Sequence, residues 1–334
     1  SGGGGRGRTG IISAVIVMEI PSQLLAKIQQ ASKREASPAV SALINEIMLR
    51  HGDSVQGILF YGSCLRSGDD LEGLVDLYVL VDDYRSVYRR TIQAVLNKLL
   101  PPNVFYLDLP FNGHVVRSKY AVLSLTDLLK GCSMSWFHSY LWGRFCQPTA
   151  LLYTRDDQVT ARVHKALAQA VITFMRRVLP RIQSEFSARE LWSKGLEFSY
   201  RAELRAERPD KLVRLYEAAG DYYEDITPIA LDAVPYFSEI INNEGCVSYR
   251  TRISNHIRLV SRLTWGVRRL QGKILSVLRL LKGMTTFEGG VDYILWKIQR
   301  HSGIAVDVDA RLRRHPLLAM WVLSWRLYRQ GGFR

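Results

Sequence analysis

The chain has 334 residues, which is enough for two or three domains that each bury a core. Its composition, 47% hydrophobic and 23% charged, is ordinary for a globular protein, and the lack of an apolar run near 18 residues argues against a membrane-spanning helix. The net charge of +14 predicts an anionic partner: nucleic acid, an anionic membrane or a phosphorylated substrate.

The excess positive charge lies in the C-terminal part of the chain. Residues 250–334 hold 17 Lys and Arg but four acids, whereas the first 249 residues are nearly neutral, with 28 bases and 27 acids. Four scattered cysteines and seven histidines without ligand spacing argue against a disulfide framework or a structural zinc site, and they fit a reducing compartment.

The predicted elements change in character near residue 125. Residues 1–18, which open with SGGGGRGRTG, are interpreted as a linker or a cloning remnant. Before residue 125, helices are predicted at 22–49 and 84–99 and strands at 57–61, 74–81, 104–109 and 115–123, the last two joined by an Asn112-Gly113 turn. Beyond it strands nearly vanish, and helices are predicted at 126–141, 158–179, 188–203, 211–218 and 254–282.

The stretch YGSCLRSGDDLEGLVDLYVLVDD (61–83) carries the candidate chemistry. One strand leads into Gly62-Ser63 and the next bears Asp76, as in nucleotidyltransferases of the polymerase-β type. The glycine lets the backbone approach a triphosphate, the serine hydroxyl and turn amides can bind its oxygens, and a strand carboxylate can hold Mg²⁺. Tyr61, Gly62 and Ser63 are therefore nucleotide-binding candidates and Asp76 is the metal candidate, although Gly62-Ser63 could also be a plain turn.

The metal-binding pattern departs from the usual Asp-x-Asp or Asp-x-Glu. Tyr78 occupies the second position, so one carboxylate is missing from its expected place. Asp108, in the strand FYLDLP, could supply a carboxylate from a neighbouring strand, or it could be a surface acid on an edge strand. We predict an α+β protein with a nucleotidyltransferase domain at 19–150 and a helical region at 151–250, for which a winged-helix-like arrangement is one alternative. A basic amphipathic region follows at 251–334.

Five segments in chain order resemble the mitochondrial translocator assembly and maintenance family of CDP-diacylglycerol synthases, in a divergent, bacterial-type form. They are GILFYGSCL, LVDLYVLVDD, VVRSKYAVLS, SWFHSYLWGRFCQPT and FSYRAELRAERPDK, spread over residues 57–211. Cys64 and Ala121 stand where the family has glycine, and Glu203 stands where it has aspartate, which leaves lipid selectivity open.

The resemblance implies transfer of CMP from CTP to phosphatidic acid with release of pyrophosphate. Lys119 falls on the family's lysine and is expected to stabilise charge on the triphosphate. Because the acceptor is a phosphate monoester with a second pKa of about 6, it is largely an oxyanion at neutral pH and needs little help from a general base. The candidates for holding the acceptor phosphate are Arg144, Arg205 and Lys211, with Glu203 orienting one of them.

The basic C-terminal helices are expected to bind an anionic membrane surface, with the apolar stripe of 254–282 among acyl chains and its cations near headgroups. Residues 317–328 (LLAMWVLSWRLY) form a second interfacial candidate. A peripheral location on the cytoplasmic, inner face of the membrane follows, with no specific nucleic-acid partner. Two alternatives stay open: a nucleotidyltransferase with another acceptor, such as a small molecule or RNA, and a non-catalytic binder of membranes or nucleic acid. For the helix itself, packing on the protein's own core is the alternative.

Overall fold

The computed structural model describes residues 19–286 apart from 72, 89–90, 204–208 and 244–245. Helices and strands are mixed within these residues, which confirms the α+β fold class. The predicted linker at 1–18 and the interfacial candidate at 317–328 lie outside them.

The helices and strands of the described residues are numbered in chain order. The helices are α1 (Ser22–Ser32), α2 (Pro38–His51), α3 (Ser63–Ser67), α4 (Tyr84–Val87), α5 (Thr91–Leu99), α6 (Leu125–Cys132), α7 (Trp142–Phe145), α8 (Asp157–Val178), α9 (Ala188–Arg201), α10 (Pro209–Glu217), α11 (Gly220–Asp232) and α12 (Asn255–Thr286). The strands are β1 (Val55–Tyr61), β2 (Leu74–Val81), β3 (Asn103–Phe111), β4 (His114–Ser124), β5 (Ala150–Thr154), β6 (Glu185–Phe186), β7 (Phe237–Asn243) and β8 (Cys246–Arg252).

A five-stranded mixed sheet in the order β3-β4-β2-β1-β5 forms the N-terminal half. The pair β2–β4 is parallel, and the other neighbouring pairs are antiparallel. Asn112 and Gly113 join β3 to β4 with φ values of 47° and 78°. Two consecutive residues with positive φ match the twist of a hairpin, so the predicted Asn-Gly turn is confirmed.

Each face of this sheet packs against its own set of helices. Leu59, Tyr78 and Leu80 join a core with residues of α1, α6, α7, α8 and α9. On the opposite face, Ile58 and Val79 pack with residues of α2, α4 and α5. Successive residues of β1 and β2 therefore pack into different cores, because side chains alternate between the two faces of a strand.

Several predicted helices are shorter than their sequence pattern. The predicted helix 22–49 is two helices, because Ser37 accepts a hydrogen bond from the amide of Val40 and Pro38 occupies the first turn of α2. The helix predicted at 126–141 ends at Cys132, where Ser133 donates its hydroxyl to the carbonyl of Lys130. In both regions the apolar spacing typical of a helix continues past the residue where the helix ends. The spacing alone therefore could not indicate these ends.

The expectation that strands nearly vanish after residue 125 is wrong. Strand β5 completes the main sheet beside β1, and β6, β8 and β7 form a second, three-stranded sheet. The sequence PYFSEIINNEGCVSYR alternates weakly and mixes acids and bases, so it gave little strand signal. Helix α11 was also missed, and it holds Pro228 in its interior, a residue that usually argues against a helix.

Helix α12 presents its apolar stripe outward. Leu263, Val267 and Leu270 are 66%, 59% and 65% exposed, whereas Trp265 and Arg268 are buried. The inner cations of α12 donate to backbone carbonyls: Arg268 to Phe137, Arg279 to Pro101, and Lys282 to Pro102. These three cations, which were expected near lipid headgroups, contact the body of the protein instead. Among the described helices, none combines the length and apolarity needed to cross a membrane.

Candidate active site

The turn after β1 is built around Gly62, whose φ is 94°. A Cβ atom on this residue would lie 2.8 Å from Oδ2 of Asp76, closer than real Cβ contacts come. Both the left-handed backbone and the contact require glycine here. The backbone of the turn and the Asp76 carboxylate are thus brought side by side, with the exposed Ser63 beginning α3 next to them.

Asp76 lies within a row of paired residues across four strands. It is opposite Tyr61 on β1 and Lys119 on β4, and Lys119 is opposite Tyr106 on β3. The Nζ atom of Lys119 is 3.4 Å from Oδ1 of Asp76, and both side chains are partly exposed, 33% and 21%. The sheet therefore gathers four predicted residues, namely Tyr61, Gly62, Asp76 and Lys119, around one accessible carboxylate.

Tyr78 lies two residues further along β2, on the same face as Asp76, and is buried. Its hydroxyl oxygen accepts a hydrogen bond of 3.0 Å from Nη1 of Arg144. The Arg144 guanidinium also lies 5.7 Å from the ring centre of Tyr61, and its Nη2 is 3.6 Å from Oε2 of Glu203. In the usual pattern this position of the strand carries a second carboxylate. Here it carries Tyr78, whose hydroxyl, together with the Glu203 carboxylate, holds the Arg144 guanidinium.

Two groups near Asp76 are kept in their neutral forms. Burial raises the pKa of Tyr78 well above its ordinary value, although Arg144 acts in the opposite direction. Burial, together with the negative charges of Asp76, Asp70 and Asp69, raises the pKa of the Cys64 thiol to about 11. The thiol donates to the carbonyl of Leu74 at 3.0 Å. Neither residue supplies an anion at neutral pH, so Cys64, which replaces the family's glycine, is a packing residue.

The remaining predicted site residues are placed differently. Asp108 is exposed and is opposite Arg117, on the far side of β4 from Asp76. Its strand is two strand spacings, about 10 Å, from β2. The structure therefore does not bring Asp108 next to Asp76. Arg205 and the side chain of Lys211 lie outside the described residues, so their predicted contact with the acceptor stays a prediction.

Two residues near this centre were not predicted from the sequence. Asp70, after α3, is 8% exposed, and its Oδ1 has no hydrogen-bond partner within the described part of the chain. Its position in the acidic stretch Asp-Asp-Leu-Glu at 69–72 was the available signal. Arg279 of α12 lies 3.9 Å from the ring centre of Tyr140, and Arg144 lies 4.3 Å from the same ring. This contact joins residues 139 positions apart, so no local pattern could indicate it.

We expect Tyr78→Phe to lower the free energy of unfolding by about 1–3 kcal/mol, because the buried Arg144 loses an acceptor while the ring volume is kept. Urea denaturation measures the change. Tyr153→Phe is the matched control, since it removes a hydroxyl from a partly buried tyrosine of the same sheet, and this loss should change stability by less than about 0.5 kcal/mol. Equal stabilities of the two variants would contradict the role given to the Tyr78 hydroxyl.

The donor set around Asp76 fits a Mg²⁺ ion that the substrate completes. Among the described residues no three His, Cys, Asp or Glu side chains come together as a closed metal site. Mg²⁺ usually takes one or two protein carboxylates together with substrate phosphates and water. The partly exposed Asp76 carboxylate, next to an open glycine turn, matches that kind of site.

Comparisons with known proteins agree with the predicted chemistry. Residues 81–244 match the model of the family described as phosphatidate cytidylyltransferase, mitochondrial. No curated protein sequence matches the chain significantly. A solved structure of a nucleotidyltransferase-like protein from Exiguobacterium sibiricum is similar over 88% of this chain and 91% of that chain, with 12% identity and a TM-score of 0.25, too distant to support an argument. Over residues 81–244, which are just under half of the chain, the family match confirms the resemblance found in the sequence.

Proposed function

We propose that the protein transfers CMP from CTP to phosphatidic acid at an anionic membrane surface, forming CDP-diacylglycerol and pyrophosphate. The observation that carries the proposal is the contact between the Gly62 turn and Asp76, with Lys119 3.4 Å from the carboxylate. One hard oxygen ligand, one cation and an open stretch of backbone then face the same space. A metal-bound triphosphate requires these three features.

In this proposal the triphosphate binds at Gly62-Ser63, with turn amides and the Ser63 hydroxyl donating to its oxygens. Asp76 would hold Mg²⁺, which supplies neutralisation of phosphate charge during the transfer. Lys119 shifts from its ion pair with Asp76 to the triphosphate oxygens, because both side chains are partly exposed and their pairing at 3.4 Å is loose. Asp108 remains a candidate metal ligand only for a second position, separate from the one at Asp76.

Arg144 is proposed to hold the acceptor phosphate. A guanidinium has five N–H donors; in Arg144, Nη1 donates to the Tyr78 hydroxyl and Nη2 pairs with the Glu203 carboxylate. The remaining donors can bind phosphate oxygens. An acceptor oxygen then attacks the α-phosphorus of CTP, the bond from that phosphorus to the bridging oxygen breaks, and pyrophosphate leaves. Since the acceptor is already an oxyanion, the neutral Tyr78 and Cys64 are compatible with this chemistry.

The outward stripe of α12 supports the membrane part of the proposal. Its exposed leucines and valines lie beside the exposed cations Arg262, Arg269 and Lys273. A helix of this kind can lie in the interface, with its apolar face among acyl chains and its cations near anionic headgroups. We propose that it binds the inner, cytoplasmic leaflet. The alternative, a helix packed on the protein's own core, describes the inner face of α12, where Trp265 joins the core, whereas the apolar stripe is exposed among the described residues.

The test is incubation of the protein with labelled CTP, Mg²⁺ and vesicles that contain phosphatidic acid. A lipid-soluble nucleotide product and equimolar pyrophosphate are expected, both lost when a chelator removes the metal. Label that appears on RNA or on a water-soluble alcohol, and not on lipid, would favour a different acceptor. Absence of Mg²⁺-dependent CTP binding, together with salt-sensitive binding to RNA, would favour a non-catalytic binder.

A further inference from the structure

Helix α12 contacts the immediate neighbours of Arg144 at two points. The first is Tyr140, whose ring centre is 4.3 Å from the Arg144 guanidinium and 3.9 Å from that of Arg279. Arg279 is fixed from its other side by a hydrogen bond to the carbonyl of Pro101, at 3.1 Å. Since cations are attracted to the faces of aromatic rings, the position of α12 bears directly on the ring that supports Arg144.

The second contact is a close approach of two backbones. A Cβ atom on Gly272 would lie 2.0 Å from the carbonyl oxygen of Ala202, so only glycine allows α12 to cross at this distance. Ala202 directly precedes Glu203, whose carboxylate pairs with Arg144 at 3.6 Å. One helix thus holds both the acid and the ring that fix the Arg144 side chain.

We infer that α12 is a positioning element for the acceptor site: its contacts through Gly272 and Arg279 hold Glu203 and Tyr140, and these two orient Arg144 toward the acceptor phosphate. The inference rests on the proposed function of Arg144. It gives α12 a second role beside membrane binding, because the same helix that exposes an apolar stripe outward fixes the site on its inner side. Gly272 and Arg279 are not catalytic residues, since they act through other side chains.

Two glycines of α12 provide a matched test. Gly272→Ala forces the helix away from Ala202, whereas Gly266→Ala meets no atom within 4 Å. The full chain is assayed with a short-chain phosphatidic acid below its critical micelle concentration, so that membrane binding plays no part. We expect Gly272→Ala to raise the KM for this acceptor by about ten- to a hundredfold, since small displacements of positioning groups have effects of this size. The affinity for CTP with Mg²⁺ should stay within about twofold, as Gly62, Ser63 and Asp76 lie apart from these contacts. Gly266→Ala should match the wild type and fold equally well.

Arg279→Gln and Arg279→Lys provide a second test, which leaves the backbone crossing intact. The glutamine variant should raise the acceptor KM in the same way, and the lysine variant should restore most of the loss because it keeps a cation over the Tyr140 ring. An unchanged acceptor KM in both Gly272→Ala and Arg279→Gln, with an active wild type, would overturn this inference alone. A wild type that transfers nucleotide to neither short-chain nor vesicle-bound phosphatidic acid would overturn the proposed function, and the inference with it.

Discussion

Asp76→Asn should reduce kcat/KM for CDP-diacylglycerol formation by about 10³-fold, equivalent to about 4 kcal/mol of transition-state stabilisation. Asparagine keeps the shape of the side chain and one oxygen but removes the negative charge that would hold Mg²⁺ beside the glycine turn. It also removes the ion-pair partner of Lys119. Because the carboxylate is partly exposed, the free energy of unfolding should change by less than about 1 kcal/mol.

The measurement is product formation from labelled CTP and phosphatidic acid, paired with binding of CTP in the presence and absence of Mg²⁺. Asp108→Asn is the matched variant, because it makes the same chemical change on the same sheet but across β4 from the turn. Near-wild-type activity is expected for it. If both variants lost activity equally, Asp108 would belong to the same centre; if Asp76→Asn retained full activity, the site would lie elsewhere.

The chemistry around the glycine turn could be predicted because its determinants are local. Gly62, Ser63 and Asp76 are within fifteen residues of one another, and apart from Asp76 itself the predicted strands 57–61 and 74–81 hold only apolar residues, tyrosine and glycine. Lys119 could be placed only through the family resemblance. Its pairing with Asp76 depends on the parallel register of β2 and β4, which the 42 residues between Asp76 and Lys119 do not specify.

The surroundings of Arg144 could not be predicted for a different reason. Its partners Tyr78, Glu203 and Tyr140 come from separate elements, and Arg279 belongs to a helix whose cations all looked equivalent in sequence. Helical periodicity separates an apolar face from a charged one, but it does not say which face meets the body of the protein. In α12 the inner face is the one with Trp265, Arg268 and Arg279, because backbone carbonyls can accept from the guanidinium groups.

Because the apolar stripe of α12 faces outward, substitutions in it should have a large effect on membrane binding. Leu263→Glu combined with Leu270→Glu should weaken binding to vesicles rich in phosphatidic acid by at least about a hundredfold. Each leucine would otherwise contribute about 1.5–3 kcal/mol on entering the acyl region, and each glutamate adds repulsion from the anionic headgroups. The two residues are 66% and 65% exposed in the structure, so the folded state should lose little stability and only vesicle binding should respond.

Co-sedimentation with anionic and with neutral vesicles measures this effect, and thermal unfolding checks the fold. Leu49→Glu is the control, compared with the single Leu263→Glu, because Leu49 is 82% exposed on α2. The control should bind like the wild type, whereas Leu263→Glu should lose about tenfold. Activity toward a soluble, short-chain acceptor should persist in all of these variants, since the inner contacts of α12 through Gly272 and Arg279 are unchanged. Undiminished vesicle binding by the double variant would show that the exposed stripe serves another partner, and the source of membrane affinity would then have to be sought in the other basic segments of the chain.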